Sequence, residues 1–149
     1  MDTTQIKTSQ VDADSIQEVF ATLATAWNTA DADLFSSVFT PDADYVTFNG
    51  QHLKGREAIA QVHMDLWRKF LKGSRLVSAE PMQIRFVHET LAIAHGKGAV
   101  LMRWQKKPSE NRLSINTNVL IKQNGQWYIT AFHNCRIQKM PWFIRLFAK

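Results

Sequence analysis

RLSINTNVLIKQNGQWYITAFHNCRI, residues 112 to 137, decides the fold class. It divides into two β-rich runs, Arg112 to Gln123 and Gln126 to Ile137, joined by Asn124-Gly125. That dipeptide suits a tight hairpin turn, because both central residues need positive φ and these two tolerate it best. Side chains alternate across a strand. Trp127, Ile129, Ala131 and His133 are therefore expected on one face, with Tyr128, Thr130, Phe132 and Asn134 on the other. With Trp127 packed inward, His133 would point inward too. On the preceding run Leu113, Ile115, Thr117, Val119 and Ile121 alternate with Ser114, Asn116, Asn118 and Leu120. The second set is the more polar and reads as the outer side, which weakens Asn118 as an interior residue and offers Thr117 in its place.

Working outward, two further extended runs precede this pair, Arg75 to His88 and Leu91 to Gln105, with Lys106 to Asn111 as a polar hairpin loop. Pro81 should break the first run, since it cannot donate to a ladder. Before them, Ile59, Val62, His63, Leu66, Trp67 and Phe70 recur at helical spacing over roughly Arg56 to Leu71, between Gly55 and the stop signal Gly73. Ala43 to Phe48 reads as a short strand ending in the turn residues Asn49 and Gly50. Asp31 caps a short helix from Ala32 to Phe39, closed by Thr40 and Pro41. Asp12 or Asp14 caps a first helix whose stripe is Ile16, Val19, Phe20, Leu23, Ala24 and Trp27. Residues 1–11 are polar and aperiodic and are expected to form a flexible arm, leaving residues 12–138 as the domain and 139–149 as a tail. Helices first and a meander of antiparallel strands afterwards specify an α+β layer.

The chain has 149 residues, 45% hydrophobic content and one cysteine, enough for a single domain that folds without disulfides. Cys135 is expected to be a free thiol. The first ten residues contain no apolar core and no eighteen-residue apolar run follows, so a signal peptide and a membrane span are not expected and the cytoplasm is. Residues 1–50 carry eight acids and one base, residues 51–149 five acids and seventeen bases. The split suits an acidic helix layer against a basic sheet; the bases form no long run or known motif, and a nucleic-acid partner is not expected. His52, His63, His88, His95 and His133 include no pair at helical i,i+4 spacing and no neighbouring cysteine cluster, so no metal is expected. Gly96 and Gly98 lack the third glycine and the following helix of a dinucleotide site, so no cofactor is expected; they read as sites of close strand approach or a bulge.

Five strings, AWNTADADLF (26–35), FTPDADYV (39–46), GREAI (55–59), LAIAHG (91–96) and NGQWYITAFHN (124–134), occur in an order and spacing that resemble the SnoaL-like branch of the nuclear transport factor 2-like superfamily. The resemblance implies a conical α+β fold: three helices on a curved, mixed, mainly antiparallel sheet that encloses a pocket, with homodimers formed through the outer sheet face. It does not specify a reaction, since isomerases, dehydratases, polyketide cyclases, transport adaptors and association domains share the fold.

The ketosteroid isomerases of that superfamily use a helix tyrosine, a strand aspartate and a second, protonated aspartate. Leu23, Thr47 and Asn118 or Val119 stand at those places here, so steroid isomerisation is rejected. His63, at a pocket-facing aromatic position of the isomerases, then becomes the acid/base candidate, with Tyr45 or His133 as its partner. Trp27, Thr47, Trp67, Thr117 and Asn118 complete the expected ligand pocket. The competing reading of His63 is a core histidine satisfied by a backbone carbonyl. Two functions follow: a homodimeric small-molecule-binding cone protein with acid/base chemistry in an apolar pocket, or a non-catalytic interaction or assembly module using the outer sheet face and the tail. The tail segment MPWFIRLFAK (140–149) has the composition of a short amphipathic helix suited to the protein's own dimer, a partner groove or a membrane surface.

Overall fold

The computed structural model describes residues 3–147. Its first helix, α1 (Thr3–Asn28), buries Ile16, Leu23, Ala26 and Trp27 along one stripe, with Val19 and Phe20 packed beside them. The helix begins well before Asp12, which corrects the expected cap: residues 3–11 are helical backbone. Asp12 instead faces the sheet. At the other end Ala30 takes a positive φ of 53°, with Ala30 N–H donating to Trp27 O (3.0 Å) and Asp31 N–H to Ala26 O (2.9 Å). These two bonds close the helix in a Schellman turn. Asp31 then caps α2 (Ala32–Ser37) by accepting from Leu34 N–H at 2.9 Å, so one residue ends one helix and starts the next.

Strand β1 (Phe39–Val46) follows and turns into β2 (His52–Lys54), a three-residue strand that the sequence reading omits. Gly55, at φ 86°, leads into α3 (Arg56–Lys69), which buries Ile59, His63 and Trp67 four residues apart. Then come β3 (Arg75–Ser78), β4 (Gln83–His88), β5 (Leu91–Leu101), a 3-10 turn at Glu110–Arg112, β6 (Ser114–Gln123), β7 (Gln126–Arg136) and α4 (Trp142–Arg145). Pro81 falls in the gap between β3 and β4, which pair with opposite ends of β5. The sheet order is β2-β1-β7-β6-β5-β3, with β4 also on β5; every pairing is antiparallel except β1 with β7. Gly98 meets the expectation of close approach, since a Cβ there would lie 2.5 Å from the Val77 carbonyl oxygen.

The hairpin turn lies where Asn124-Gly125 places it, with φ of 50° and 77°. Register within β7, however, is not regular. Val119 pairs with Ala131 but Leu120 pairs with Ile129, so Thr130 is an extra residue on β7. The parallel partner shifts nearby: Phe39 pairs with Ile129 and Asp44 with Ala131. The Arg56 guanidinium donates to the Phe39 carbonyl in this irregular stretch, and Thr40 and Thr130 hydroxyls meet at 3.2 Å.

Helices α1, α2 and α3 all lie on one face of the sheet, around a core that includes Ile16, Phe35, Phe39, Ile59, Leu120 and Ile129. The strongest polar tie across the layers is the Asp12 carboxylate, whose Oδ1 accepts from Lys122 Nζ at 2.8 Å and from Trp127 Nε1 at 3.0 Å. Burial works against its charge, yet these two hydrogen bonds and the Lys122 charge prevail and hold its pKa below the ordinary 3.8. Because the folded value is depressed, the contribution is complete above the unfolded pKa and is lost as the pH falls through the folded one. Asp12→Ala should cost about 2 kcal/mol in urea unfolding at neutral pH, since it strands the buried Trp127 indole N–H and removes the partner of the half-buried Lys122 ammonium. The difference from wild type should shrink as the pH falls below the ordinary carboxylate value of 3.8 and the Asp12 carboxylate becomes protonated.

Candidate functional site

A row of paired residues crosses five strands on the helix-facing side: Ala94 on β5, Asn118 on β6, Phe132 on β7, Tyr45 on β1 and Leu53 on β2. Ala94, Asn118, Tyr45 and Leu53 are buried and Phe132 is half-buried, stacked on Tyr45 with ring centroids 4.3 Å apart. α3 lays His63 over this row. The imidazole is 3% exposed and lies among Phe35 (4.3 Å), Tyr45 (5.1 Å), Trp67 (5.7 Å) and Trp27 (5.8 Å).

Both ring nitrogens are engaged. Nδ1 lies 2.7 Å from the Ile59 carbonyl one helical turn back, so Nδ1–H is the donor and the tautomer is set. Nε2, at 3.2 Å, is left to accept from the Tyr45 hydroxyl. Burial lowers the His63 pKa to about 4, against the smaller upward pull of the Ile59 carbonyl. Burial also pushes the Tyr45 phenol well above its usual value. The pair is thus neutral at physiological pH, with one proton between the two heteroatoms.

Asn118 is the second polar feature of the row. Its Nδ2 donates to Asn116 Oδ1 (2.7 Å) and to the Ala94 carbonyl (3.3 Å), while its Oδ1 is buried without a partner. Such an acceptor costs about 1–3 kcal/mol unless something donates to it. Met82 covers this corner: a Cβ on Gly96 would stand 2.5 Å from the Met82 sulfur and 3.3 Å from Asn116 Oδ1. Trp67 Nε1 is likewise buried and unpartnered.

The structure therefore brings together His63, Tyr45, Trp27 and Trp67, with Asn118 two strands from Tyr45 across the Phe132 position. It does not bring in the other three. His133 is exposed on the opposite face, because the extra residue at Thr130 inverts the alternation and turns Phe132 inward instead. Thr117 is exposed on that outer face and pairs with His95 at 3.1 Å, so the parity assigned to β6 is reversed and Asn118 is the interior residue. Thr47 lies just beyond β1, where its hydroxyl meets Asn49 Oδ1 and accepts from Gln51 N–H at 3.0 Å to hold the turn. Phe35, Phe39, Phe132, Asn116 and Met82 line the interior without having been anticipated. One signal was available for Phe132: large apolar residues at 127, 129 and 132 break the two-residue period.

Among the described residues no three His, Cys, Asp or Glu side chains converge as a metal site would require. No described helix is long and apolar enough to cross a membrane. A surface groove of about 680 Å³ lies at the helical end, lined by residues including Asp31, Asp33, Arg68, Lys72 and Trp67; Tyr45 and His63 do not line it, although Trp67 packs on His63.

A family model described as a SnoaL-like domain matches residues 10–133. Among solved structures, a domain of unknown function with a cystatin-like fold from Nostoc punctiforme is 30% identical, with a TM-score of 0.80 over 93% of this chain and 83% of its own. A nuclear transport factor 2-like protein from Novosphingobium aromaticivorans superposes with a TM-score of 0.75 at 20% identity, covering 99% of this chain and 97% of its own. A candidate scytalone dehydratase from the same species gives a TM-score of 0.73 at 16% identity over 89% of each chain. The last two speak for the fold alone. No curated protein matches the chain.

The depressed His63 pKa makes a prediction about stability. Between pH 6.5 and about 4 the unfolded chain protonates this histidine and the folded one does not. Wild type should therefore lose roughly 3 kcal/mol across that window from this group, with no further loss below it. In His63→Phe that component should vanish, which parallel urea titrations from pH 7 to pH 4 would read as a shallower decline.

Proposed function

We propose that this chain, which belongs to the SnoaL-like domain family over residues 10–133, binds an uncharged small molecule against the concave sheet face and transfers protons on it through Tyr45 and His63. The observation that carries the reading is the hydrogen bond from the Tyr45 hydroxyl to His63 Nε2, two strands from an amide oxygen that has no partner. Asn118 Oδ1 selects a ligand with a hydroxyl or N–H donor. The apolar walls select against charge, because an unpaired buried ion costs far more than a hydrogen bond returns. Met82, flexible and half-buried at the corner beside Gly96 and Asn116, is the side chain whose rotation opens the way to Asn118.

The chemistry follows from the proton inventory. A proton leaving the ligand reaches the Tyr45 oxygen while the phenol proton moves to Nε2, so no phenolate stands alone in an apolar site. A histidine with a pKa near 4 is a weak base. The pair suits ligands whose departing proton is already acidic, and not the abstraction of an unactivated carbon proton. A second copy of the chain is expected on the outer sheet face, which no described helix covers and which presents exposed Ile115 with half-buried Ile93, Val119 and Ile121.

Thermal-shift screening of wild type against uncharged, hydroxyl-bearing metabolites tests the reading, because a ligand that binds only the folded state raises the midpoint. Asn118→Leu should weaken any ligand so found by about tenfold or more while melting no lower than wild type. His63→Phe should retain binding and lose turnover. Unchanged affinity in Asn118→Leu together with unchanged turnover in His63→Phe would refute the assignment. For the dimer, Ile115→Lys should yield monomers in analytical ultracentrifugation.

A further inference from the structure

The C-terminal segment exposes more apolar surface than its own fold uses. Trp142, Phe143, Leu146 and Phe147 are 75, 52, 67 and 87% exposed, and Ile144 is 42% exposed. With about 100° between successive residues, these five side chains span an arc of roughly 200° around α4 and the turn that follows it, and Arg145 falls outside that arc. No described residue of α4 is buried.

This segment is joined to a second exposed stretch. Ile137 N–H donates to Leu113 O (2.9 Å), Arg136 Nη1 to Asn111 O (3.1 Å), and Lys139 Nζ to Glu110 Oε2 (2.6 Å), which ties the start of the tail to the β5–β6 connection. That connection, residues 102–113, carries Arg103, Lys106, Lys107 and Arg112 against one acid, Glu110, and adds Trp104 at 69% exposure. Residues 138–149 carry Lys139, Arg145 and Lys149 and no acid. The only acid of these two segments is thus already neutralised by Lys139. One end of the molecule therefore joins protruding tryptophan and phenylalanine side chains to a surplus of uncompensated bases.

We propose that this end of the molecule docks on an anionic lipid bilayer surface, with the Trp142, Phe143, Leu146 and Phe147 side chains in the interface and the lysines and arginines against the lipid headgroups. Two properties favour a membrane over a protein groove. The apolar arc is wide, and the one acid of the adjoining segments, Glu110, is already paired with Lys139, which suits a fluid anionic interface more than a specific groove. Its charge is of one sign, matching an anionic leaflet, where each basic side chain strengthens binding about fivefold. Aromatic rings with a polar edge, as in Trp104 and Trp142, settle at the headgroup level. This docking is independent of the ligand reading, because none of these residues lies on the row from Ala94 to Leu53.

Co-sedimentation of the full chain with phosphatidylcholine vesicles, with and without phosphatidylglycerol, tests the proposal. Wild type should pellet with the anionic vesicles, bind the neutral ones at least about tenfold more weakly, and be released by high salt. Trp142→Ser combined with Phe143→Ser and Phe147→Ser should abolish binding, and Lys106→Glu with Lys107→Glu should reduce it at least about tenfold, with melting midpoints unchanged since all five side chains are exposed or carried on exposed loops. Absence of wild-type binding to anionic vesicles would overturn the proposal, as would binding that survives both variants. If the triple variant instead turned a dimer into a monomer and wild type ignored vesicles, the tail would be a contact between copies and the membrane assignment would be wrong.

Discussion

Opposite the step from Val119 to Leu120 on β6, β7 spends two residues beyond Ile129 to reach Ala131, and the one left over is Thr130. The interior depends on that insertion. Before it, Trp127 and Ile129 face the helices; after it, the facing residue is Phe132, which stacks on Tyr45 and completes the wall beneath His63. Without the extra residue, alternation would send His133 inward and Phe132 out. A polar imidazole would then replace the stacked ring, and Tyr45 would lose the Phe132 surface it stacks on. The bulge also meets the irregular stretch of β1, where Arg56 occupies the Phe39 carbonyl and Thr40 meets Thr130. The Phe39 carbonyl thus finds a side-chain partner where the ladder is interrupted, as buried polar groups must.

The polar groups of the interior differ in how completely they are satisfied. Asp12 sits between Lys122 and Trp127 and is fully used as a tie between layers. His63 is satisfied at both nitrogens, one by its own helix and one by Tyr45, which makes it a rigid and neutral member of an aromatic core whose Nε2 accepts a hydrogen bond. The two readings of a buried histidine, structural and chemical, therefore describe the same geometry. Asn118 differs from both, since half of its amide is anchored and half is idle. An idle acceptor in the core is a standing cost that an apolar residue of similar shape would remove. It lies on the helix-facing side of the sheet, two residues along β6 from Asn116, which with Met82 packs against Gly96.

The parts of this architecture legible in the sequence are those with a strong local cause. The period of α3 put Ile59, His63 and Trp67 on one face, Asn124-Gly125 set a hairpin, and Pro81 split β3 from β4. Local causes failed in three places. TTQIKTSQV has no apolar period, so nothing in it announces a helix from Thr3. HLK is too short and too polar to read as a strand, and β2 exists because β1 offers it an edge. The face of β6 could not be read from polarity, since Asn116 and Asn118 look like surface residues and are held inside by bonds to each other and to Ala94. The site was legible to the extent that it sits on the helix and on β1, and illegible where it depends on β6 and on the bulge.

The division of charge along the chain takes on a spatial meaning from the same contacts. An acidic first third against a basic remainder suggested two layers attracting one another, and Lys122 with Asp12 is such a pair, placed where burial strengthens it. Seven of the seventeen other bases are gathered elsewhere. Arg103, Lys106, Lys107, Arg112, Arg136, Lys139 and Arg145 belong to the β5–β6 connection, the end of β7 and the tail, which hydrogen bonds hold at one end of the sheet. Cohesion of the layers therefore rests on apolar burial and a few polar ties, with Asp12–Lys122 as the charged one, and these seven bases lie outside it. A surface of one charge sign repels its own copies and draws anions toward it. The same segments carry exposed Trp104, Trp142 and Phe147, so what the charge attracts, the aromatic rings can hold.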